Sequence, residues 1–246
     1  MVRTWLLFFV IVVLSAGTVA ARDFSTSDLT KVVVLGSGMP LPDPARHGPG
    51  VAIIVNGSSY IIDAGDGIYR ARGASSPMYG GPFKALTPPN LQRVFLTHLH
   101  SDHTVGLPSL IRSPFVMARS EPIHIWGPPG TERLVKHIMI AYSEDLAERR
   151  YGAVQRASEG WQAIPHEFSA SAEGAEIFRD ENVKVEAFRT VHATWPHADA
   201  YRFTTADRVI VISGDLRPCP GIVNASRGAD ILLHEVIGLD DRDNQP

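Results

Sequence analysis

The stretch that decides the fold is residues 93–103, RVFLTHLHSDH. Residues 94–96 are apolar, as in a short buried strand, and polar side chains follow at once. Alternate residues of an extended chain point to the same side, so His98 and His100 share one side. Asp102 and His103 can turn elsewhere once the chain leaves the strand. The pattern predicts one cavity lined by imidazole and carboxylate groups.

These side chains have the composition of a two-metal site. Imidazole nitrogen and carboxylate oxygen without thiolate suit Zn²⁺ first, with Mn²⁺ and Fe²⁺ as alternatives. Cys219 is the only cysteine of the chain, so neither a thiolate cluster nor an internal disulfide is available. The spacing His-x-His-x-Asp-His is too specific to be read as four unrelated polar residues. We therefore expect two zinc ions.

Strands and helices are predicted on both sides of this motif. The clearest is a hairpin whose Asn56-Gly57 turn supplies the positive φ angles of a type I′ turn. Residues 73–89 are rich in Gly, Pro and Ser and predict a long surface loop. The remaining predictions are strands at 31–35, 93–96, 122–126, 183–189, 200–204, 209–213 and 231–234, and helices at 104–111, 130–148 and 220–227. This order favours an α+β sandwich of four layers, with two mixed sheets face to face and helices outside.

The first 30 residues predict export. Arg3, an apolar run and small residues ending at Ala21 follow the order of a signal peptide at 1–21, with an uncleaved anchor as the alternative. A linker at 22–30 and one domain at 31–246 complete the organisation. After cleavage no membrane span remains, and the expected location is secreted or periplasmic. The net charge of −3 provides no global basic field to attract nucleic acid.

The segment 97–108, THLHSDHTVGLP, resembles the metallo-β-lactamase superfamily, in the branch of RNase Z and related arylsulfatases. Other segments are similar to that branch, and the resemblance covers about residues 31–236. These segments are 35–38 with Pro40, 62–67, 126–131, 213–215 and 234–235.

The resemblance implies a set of metal ligands. Asp215 would bridge the two metals, and His192 would complete the first shell, with His197 as the nearest competitor. We favour His192 because a strand end holds a side chain better than a loop containing proline. The first metal would be held by His98, His100 and His192, and the second by Asp102 and His103.

The resemblance also implies catalytic groups. His234 would donate a proton or contact an oxyanion, and Glu235 would orient it, with a buried structural pair as the alternative. Asp102 is also predicted to be a catalytic residue, in addition to binding the second metal. The family's last metal ligand is a histidine beyond this segment, and no histidine follows His234. We expect that the chain is truncated at its C-terminus, or that the second metal binds weakly.

The implied activity is hydrolysis by a hydroxide shared between two metals. We favour a small ester as substrate, of the aryl sulfate or phosphodiester type. An RNase Z-like tRNA 3′-endoribonuclease is the alternative, but only residues 193–214 separate His192 from Asp215, which leaves no room for the tRNA-gripping arm of that branch. Nucleic acid is thus the less favoured partner, and a homodimer is suggested by the resemblance. A non-catalytic metal-binding protein of the same fold is a further alternative.

Overall fold

The first sheet begins with three antiparallel strands and continues with parallel ones. The computed structural model describes residues 29–152 and 158–236, so the expected signal peptide lies outside the described residues. Asn56 and Gly57 have φ angles of 48° and 80°, which confirms the tight turn of the hairpin. The strands lie in sequence order: β1 (Lys31–Gly36), β2 (Gly50–Val55), β3 (Ser58–Ile62), β4 (Arg93–Phe95), β5 (Ile123–Gly127) and β6 (Ala163–Glu167).

The second sheet is antiparallel except at one edge, where its last two strands run parallel. Its strands are β7 (Ala175–Arg179), β8 (Lys184–His192), β9 (Trp195–Thr204), β10 (Val209–Ile212) and β11 (Ile231–Leu233), in the spatial order β11-β10-β9-β8-β7. A turn at residues 205–208 joins β9 to β10 directly.

Helices cover the outer faces of both sheets. Side chains of β2 and β3 alternate between the two faces of the sheet. Most of them are apolar and buried, so both faces of the sheet are covered. One face packs on the second sheet and the other on helices, which gives the expected four-layer α+β sandwich. The helices are α1 (Ile68–Ala74), α2 (Ser101–Thr104), α3 (Leu107–Val116), α4 (Thr131–Ala141), α5 (Ser143–Tyr151) and α6 (Pro220–Ser226). None of the described helices is long and apolar enough to cross a membrane.

Several boundaries predicted from the sequence were wrong. The single helix expected at 130–148 is two helices, because Tyr142 leaves the helical conformation and acidic residues at 144 and 145 favour a new N-terminus there. The loop expected at 73–89 contains the end of α1 and three short 3₁₀ turns. Edge strands β6 and β7 were missed, and β9 begins at Trp195 rather than at residue 200.

Phe95 is the central contact between the two sheets. It is fully buried, stacks on Trp126 at 4.9 Å between ring centroids, and meets Tyr201 and Phe203 of the second sheet edge-on at 5.8 and 5.4 Å. Since aromatic rings bury large areas and prefer such geometries, this cluster joins the sheets directly below the loop that begins at residue 96.

We expect Phe95→Ala to lower the free energy of unfolding by about 3–5 kcal/mol, because the cavity lies between two sheets that cannot collapse onto it. Phe95→Leu keeps most of the volume and should cost about 1 kcal/mol. Urea denaturation followed by circular dichroism measures both. A loss below about 1 kcal/mol for the alanine variant would show that the sheets are not held together at this point.

Candidate metal centre

The six residues expected to bind metal lie at one end of the sandwich, where strands of both sheets stop. Four of them follow β4 in the loop and in α2, whereas His192 is the last residue of β8 and Asp215 comes three residues after the end of β10. The fold thus brings together side chains separated by more than a hundred residues of chain.

Three imidazoles form the first group. His100 Nδ1 lies 3.1 Å from His98 Nε2 and 3.1 Å from His192 Nε2. Ring nitrogens that share one tetrahedral Zn²⁺ at about 2.0–2.1 Å are about 3.3–3.4 Å apart, which is close to this spacing. The three residues can therefore hold one metal ion.

The second group contains His103, Asp215 and Asp102. His103 Nε2 lies 3.3 Å from Asp215 Oδ1 and 3.7 Å from Asp102 Oδ2. This nitrogen is buried and has no hydrogen-bond partner among the described residues. Such an atom is costly to bury, and a cation between it and the two carboxylates would satisfy all three groups. His98, His103 and Asp215 also converge closely enough to share an ion.

Asp63 organises both groups, although the sequence analysis did not name it as a site residue. Its buried carboxylate accepts the backbone N–H of Thr97 at 2.8 Å and the Thr97 hydroxyl at 2.9 Å. It also lies 2.9 Å from His103 Nδ1, so the proton on Nδ1 points to Asp63 and Nε2 faces the cavity. The available signal in the sequence was that Asp63 directly follows the apolar end of β3.

Through Thr97, Asp63 also determines which nitrogen of His98 carries a proton. The hydroxyl has one proton and donates it to Asp63, so toward His98 Nδ1, 3.1 Å away, it acts as the acceptor. Nδ1 of His98 then carries the proton, and Nε2 presents a lone pair to His100 and to any metal. A single aspartate therefore sets the tautomers of two histidines.

A glycine allows Asp215 to reach the centre. Gly214 has φ of +60°, and a Cβ at this position would lie 2.7 Å from Thr97 Cβ. A larger residue would therefore be strained by its backbone and would push the Thr97 loop away. This explains the Ser213-Gly214-Asp215 sequence at the end of β10.

His234 and Glu235 lie at the mouth of the same cleft, but Glu235 does not orient His234. His234 is exposed, and among the described residues no hydrogen bond joins the two. The Glu235 carboxylate instead accepts the backbone N–H of Leu216 at 2.5 Å, which supports the loop that carries Asp215. The cleft has a volume of about 400 Å³, and its lining includes Asp102, His103 and Asp215.

Burial and charge separate the protonation states of neighbouring groups. Burial, followed by the charge of His103, lowers the pKa of His98 to about 3, so this imidazole is neutral. Burial would also lower the pKa of His103, but the charges of Asp63 and Asp215 outweigh it and raise that pKa to about 10. Burial would raise the pKa of Asp215, yet contact with His103 holds it below its ordinary value. Positive charge at His103, from a proton or from a bound metal ion, thus balances the negative charges of Asp63 and Asp215.

The rim of the centre contains Trp195, which the sequence analysis also missed. Its ring meets that of His100 edge-on at 4.1 Å. His197, the competitor of His192, lies on β9 rather than in the expected loop, with its Nδ1 3.4 Å from Arg189 Nη1. The structure brings His192, and not His197, to the cluster.

Two mixed sheets packed face to face, with a cluster of histidines and aspartates at one end, are typical of one class of metal-dependent hydrolases. Residues 59–245 match the family described as the beta-lactamase superfamily domain, and the chain belongs to this family. It is a metal-dependent hydrolase of the metallo-β-lactamase superfamily.

Similar proteins have ribonuclease names. Ribonuclease Z of Mycobacterium bovis (strain BCG / Pasteur 1173P2) is 28% identical over 215 residues, covering 86% of this chain and 72% of the relative. Ribonuclease Z of Pyrococcus abyssi is 25% identical over 252 residues, covering 87% and 77%. The crystal structure of the short form of human tRNase Z shares the fold with a TM-score of 0.67 at 23% identity, covering 88% of this chain and 81% of that one.

We expect metal binding to release a proton from His103. A pKa of about 10 means that the metal-free imidazole is protonated at pH 7.5, and Nε2 must lose that proton to bind a cation. Asp63→Asn keeps the left-handed backbone at φ 61°, which asparagine tolerates, but removes the charge. The variant should release fewer protons and bind Zn²⁺ about 10–100-fold more weakly.

Calorimetric titration with Zn²⁺ in two buffers of different ionisation enthalpy measures both quantities. Asp66→Asn is the matched control, because Asp66 is exposed and lies in the same segment. Equal proton release and equal affinity in the two variants would contradict the role given to Asp63.

Proposed function

We propose that the chain is a two-zinc phosphodiesterase that cleaves RNA. The observation that carries the proposal is the buried His103 Nε2, which has no hydrogen-bond partner among the described residues and lies beside Asp102 and Asp215, next to three converging imidazoles. The ribonuclease Z names of its relatives favour this activity over hydrolysis of a small ester, of the aryl sulfate or phosphodiester type, which the sequence alone favours. They also weaken the non-catalytic alternative.

Each expected residue has a part in this proposal. His98, His100 and His192 hold one metal, Asp102 and His103 hold the other, and Asp215 lies between the two groups. Zinc ions at these positions would activate water and polarise the phosphoryl group. The neutral state of His98 at neutral pH suits it to bind a cation.

His234 is the proposed proton donor. It is exposed at the mouth of the cleft that Asp102 and His103 line, so a bound phosphodiester can lie between it and the metal ligands. In the proposed step, water loses one proton to solvent as it attacks phosphorus, and His234 gives its own proton to the leaving oxygen as the bond between that oxygen and phosphorus breaks. Glu235 acts one step away, by holding the Leu216 backbone and with it the Asp215 loop.

A groove beside the centre offers room for a polymer. It has a volume of about 1020 Å³ and runs from Leu99 and Trp195 to α4, where Arg133 and His137 line it beside the carboxylates of Glu132 and Glu167. The Trp195 ring and the Arg133 cation suit single-stranded nucleic acid, because bases stack and phosphates need positive charge, whereas the two carboxylates oppose it.

A small ester remains the second candidate, and one observation favours it. β9 and β10 are joined by the short turn at 205–208, which Thr205 and Asp207 close with hydrogen bonds, so no arm extends from this position. The expected export of the chain would also place it where pre-tRNA is absent. If the chain is exported, a small phosphodiester or aryl sulfate becomes the better substrate.

His98→Ala and Asp215→Ala should each lower bound zinc and hydrolysis of bis(p-nitrophenyl) phosphate together, activity falling by more than about 100-fold. Circular dichroism should remain that of a folded protein, because the sheets stay packed. His197→Ala is the matched histidine control for metal content, which elemental analysis should find unchanged. Full activity in either ligand variant would contradict the site.

Three substrates separate the candidate functions. Zinc-loaded protein should cut an RNA with a 3′ extension faster than p-nitrophenyl sulfate, and removal of zinc by a chelator should abolish cleavage. Faster turnover of the sulfate would establish the small-ester function instead. Zinc binding without turnover of either substrate or of bis(p-nitrophenyl) phosphate would establish a non-catalytic protein.

A further inference from the structure

We propose that a second cavity, between α1 and the end of α3, binds an anionic amphiphile with an oxyanion head group and an apolar body. This site goes beyond the proposed function, since no residue lines both this cavity and the metal cleft. The proposal depends on the charge and apolar character of the lining, and on buried Arg72, which has no anionic partner among the described residues.

The cavity has a volume of about 730 Å³, which suits a small molecule. Its lining contains three arginines and neither an aspartate nor a glutamate. The lining residues are Tyr69, Arg70, Arg72, Gly73, Ala74, Met78, Tyr79, Pro88, Ser113, Val116, Met117 and Arg149.

Arg72 is the residue that most needs an anion. It is only 1% exposed, and its guanidinium lies over the Tyr69 ring at 4.9 Å. Nη1 donates to the carbonyl oxygen of Leu86, but Nε is buried and has no hydrogen-bond partner among the described residues. A buried charge is costly unless it is paired, and a neutral carbonyl does not cancel it. An oxyanion in the adjoining cavity would offset this charge at short range without contacting Nε, and its direct contacts would be with the more accessible Arg70 and Arg149 of the same lining.

Two further buried arginines add to this positive charge. Arg119 donates to four backbone carbonyls. Arg112 pairs with Asp145 through one nitrogen, while its Nε and Nη1 have no hydrogen-bond partner within residues 29–152 and 158–236. Asp145 is shared with Arg149. Neither Arg72 nor Arg119 forms an ion pair with any carboxylate of residues 29–152 or 158–236. Burial, and then the charges of Arg112 and Arg72, lower the pKa of Arg119 to about 9.

The mouth of the cavity is apolar and exposed. Met78, Tyr79 and Met117 expose 48%, 76% and 47% of their surface, although all three border the cavity. Met side chains adapt to ligands of irregular shape. An apolar tail would cover these residues while the head group lies at the arginines, so the ligand combines both characters.

Calorimetric titration of the zinc-loaded protein with decanoate, decyl phosphate and decanol tests the proposal. We expect the two anions to bind at least about tenfold more tightly than the neutral alcohol, since a charge-assisted hydrogen bond contributes at least that factor. Comparison of the two anions identifies the preferred head group. Equal binding of decanol and both anions would overturn the proposal, because it would show apolar adsorption only.

Variants locate the site. Arg72→Gln should weaken binding of the preferred anion by about tenfold or more, and Arg149→Gln by about threefold. Ala74→Trp fills the mouth and should abolish binding even if Arg72→Gln fails to fold. Arg179→Gln is the matched control, since this exposed arginine on β7 pairs only with Glu176. Unchanged affinity in both Arg149→Gln and Ala74→Trp would overturn the assignment of this cavity.

Discussion

The hydrogen bonds of Asp63 are the constraint on which the metal centre depends. One carboxylate at the end of β3 accepts from the backbone and hydroxyl of Thr97 and lies against the ring of His103. It therefore links the end of β3 to the loop that follows the neighbouring strand β4. The carbonyl of Thr97 accepts the N–H of Asp199 from β9, so the same loop is also bound to the second sheet. The ligands meet where the two sheets are joined.

The two metal positions differ in charge, and the difference comes from their surroundings. The first is built from three imidazoles, of which His98 is fully buried and kept neutral. The second combines buried His103 with the carboxylates of Asp102 and Asp215. Burial does not separate the two positions, since His98 is buried in the first and His103 in the second. The carboxylates of the second position supply negative charge that would offset a buried cation.

Buried arginine is the other unusual feature of the domain. Arg119 donates to four backbone carbonyls, two of them in α3, so each of its guanidinium nitrogens has a hydrogen-bond partner. Nε of Arg72 has none among the described residues, and Arg72 borders a cavity with no acidic lining. Arg72 and Arg119 are similarly buried but differ in their hydrogen-bond partners. Arg119 is therefore a structural residue, whereas Arg72 can still interact with a ligand.

Local patterns in the sequence determined the site motif, the hairpin and the layered fold, because each depends on neighbouring residues. The Asn56-Gly57 turn needs only two positive φ angles, and the motif after β4 needs only a strand followed by closely spaced donors. The edge strands β6 and β7 escaped prediction, since Pro165 and a bulged register weaken the alternation that marks a central strand. Only the tertiary structure decided that His192 rather than His197 joins the cluster, that Asp63 sets two tautomers, and that Glu235 holds a backbone rather than His234. Those outcomes depend on distances between segments far apart in the chain, and packing of the two sheets sets these distances.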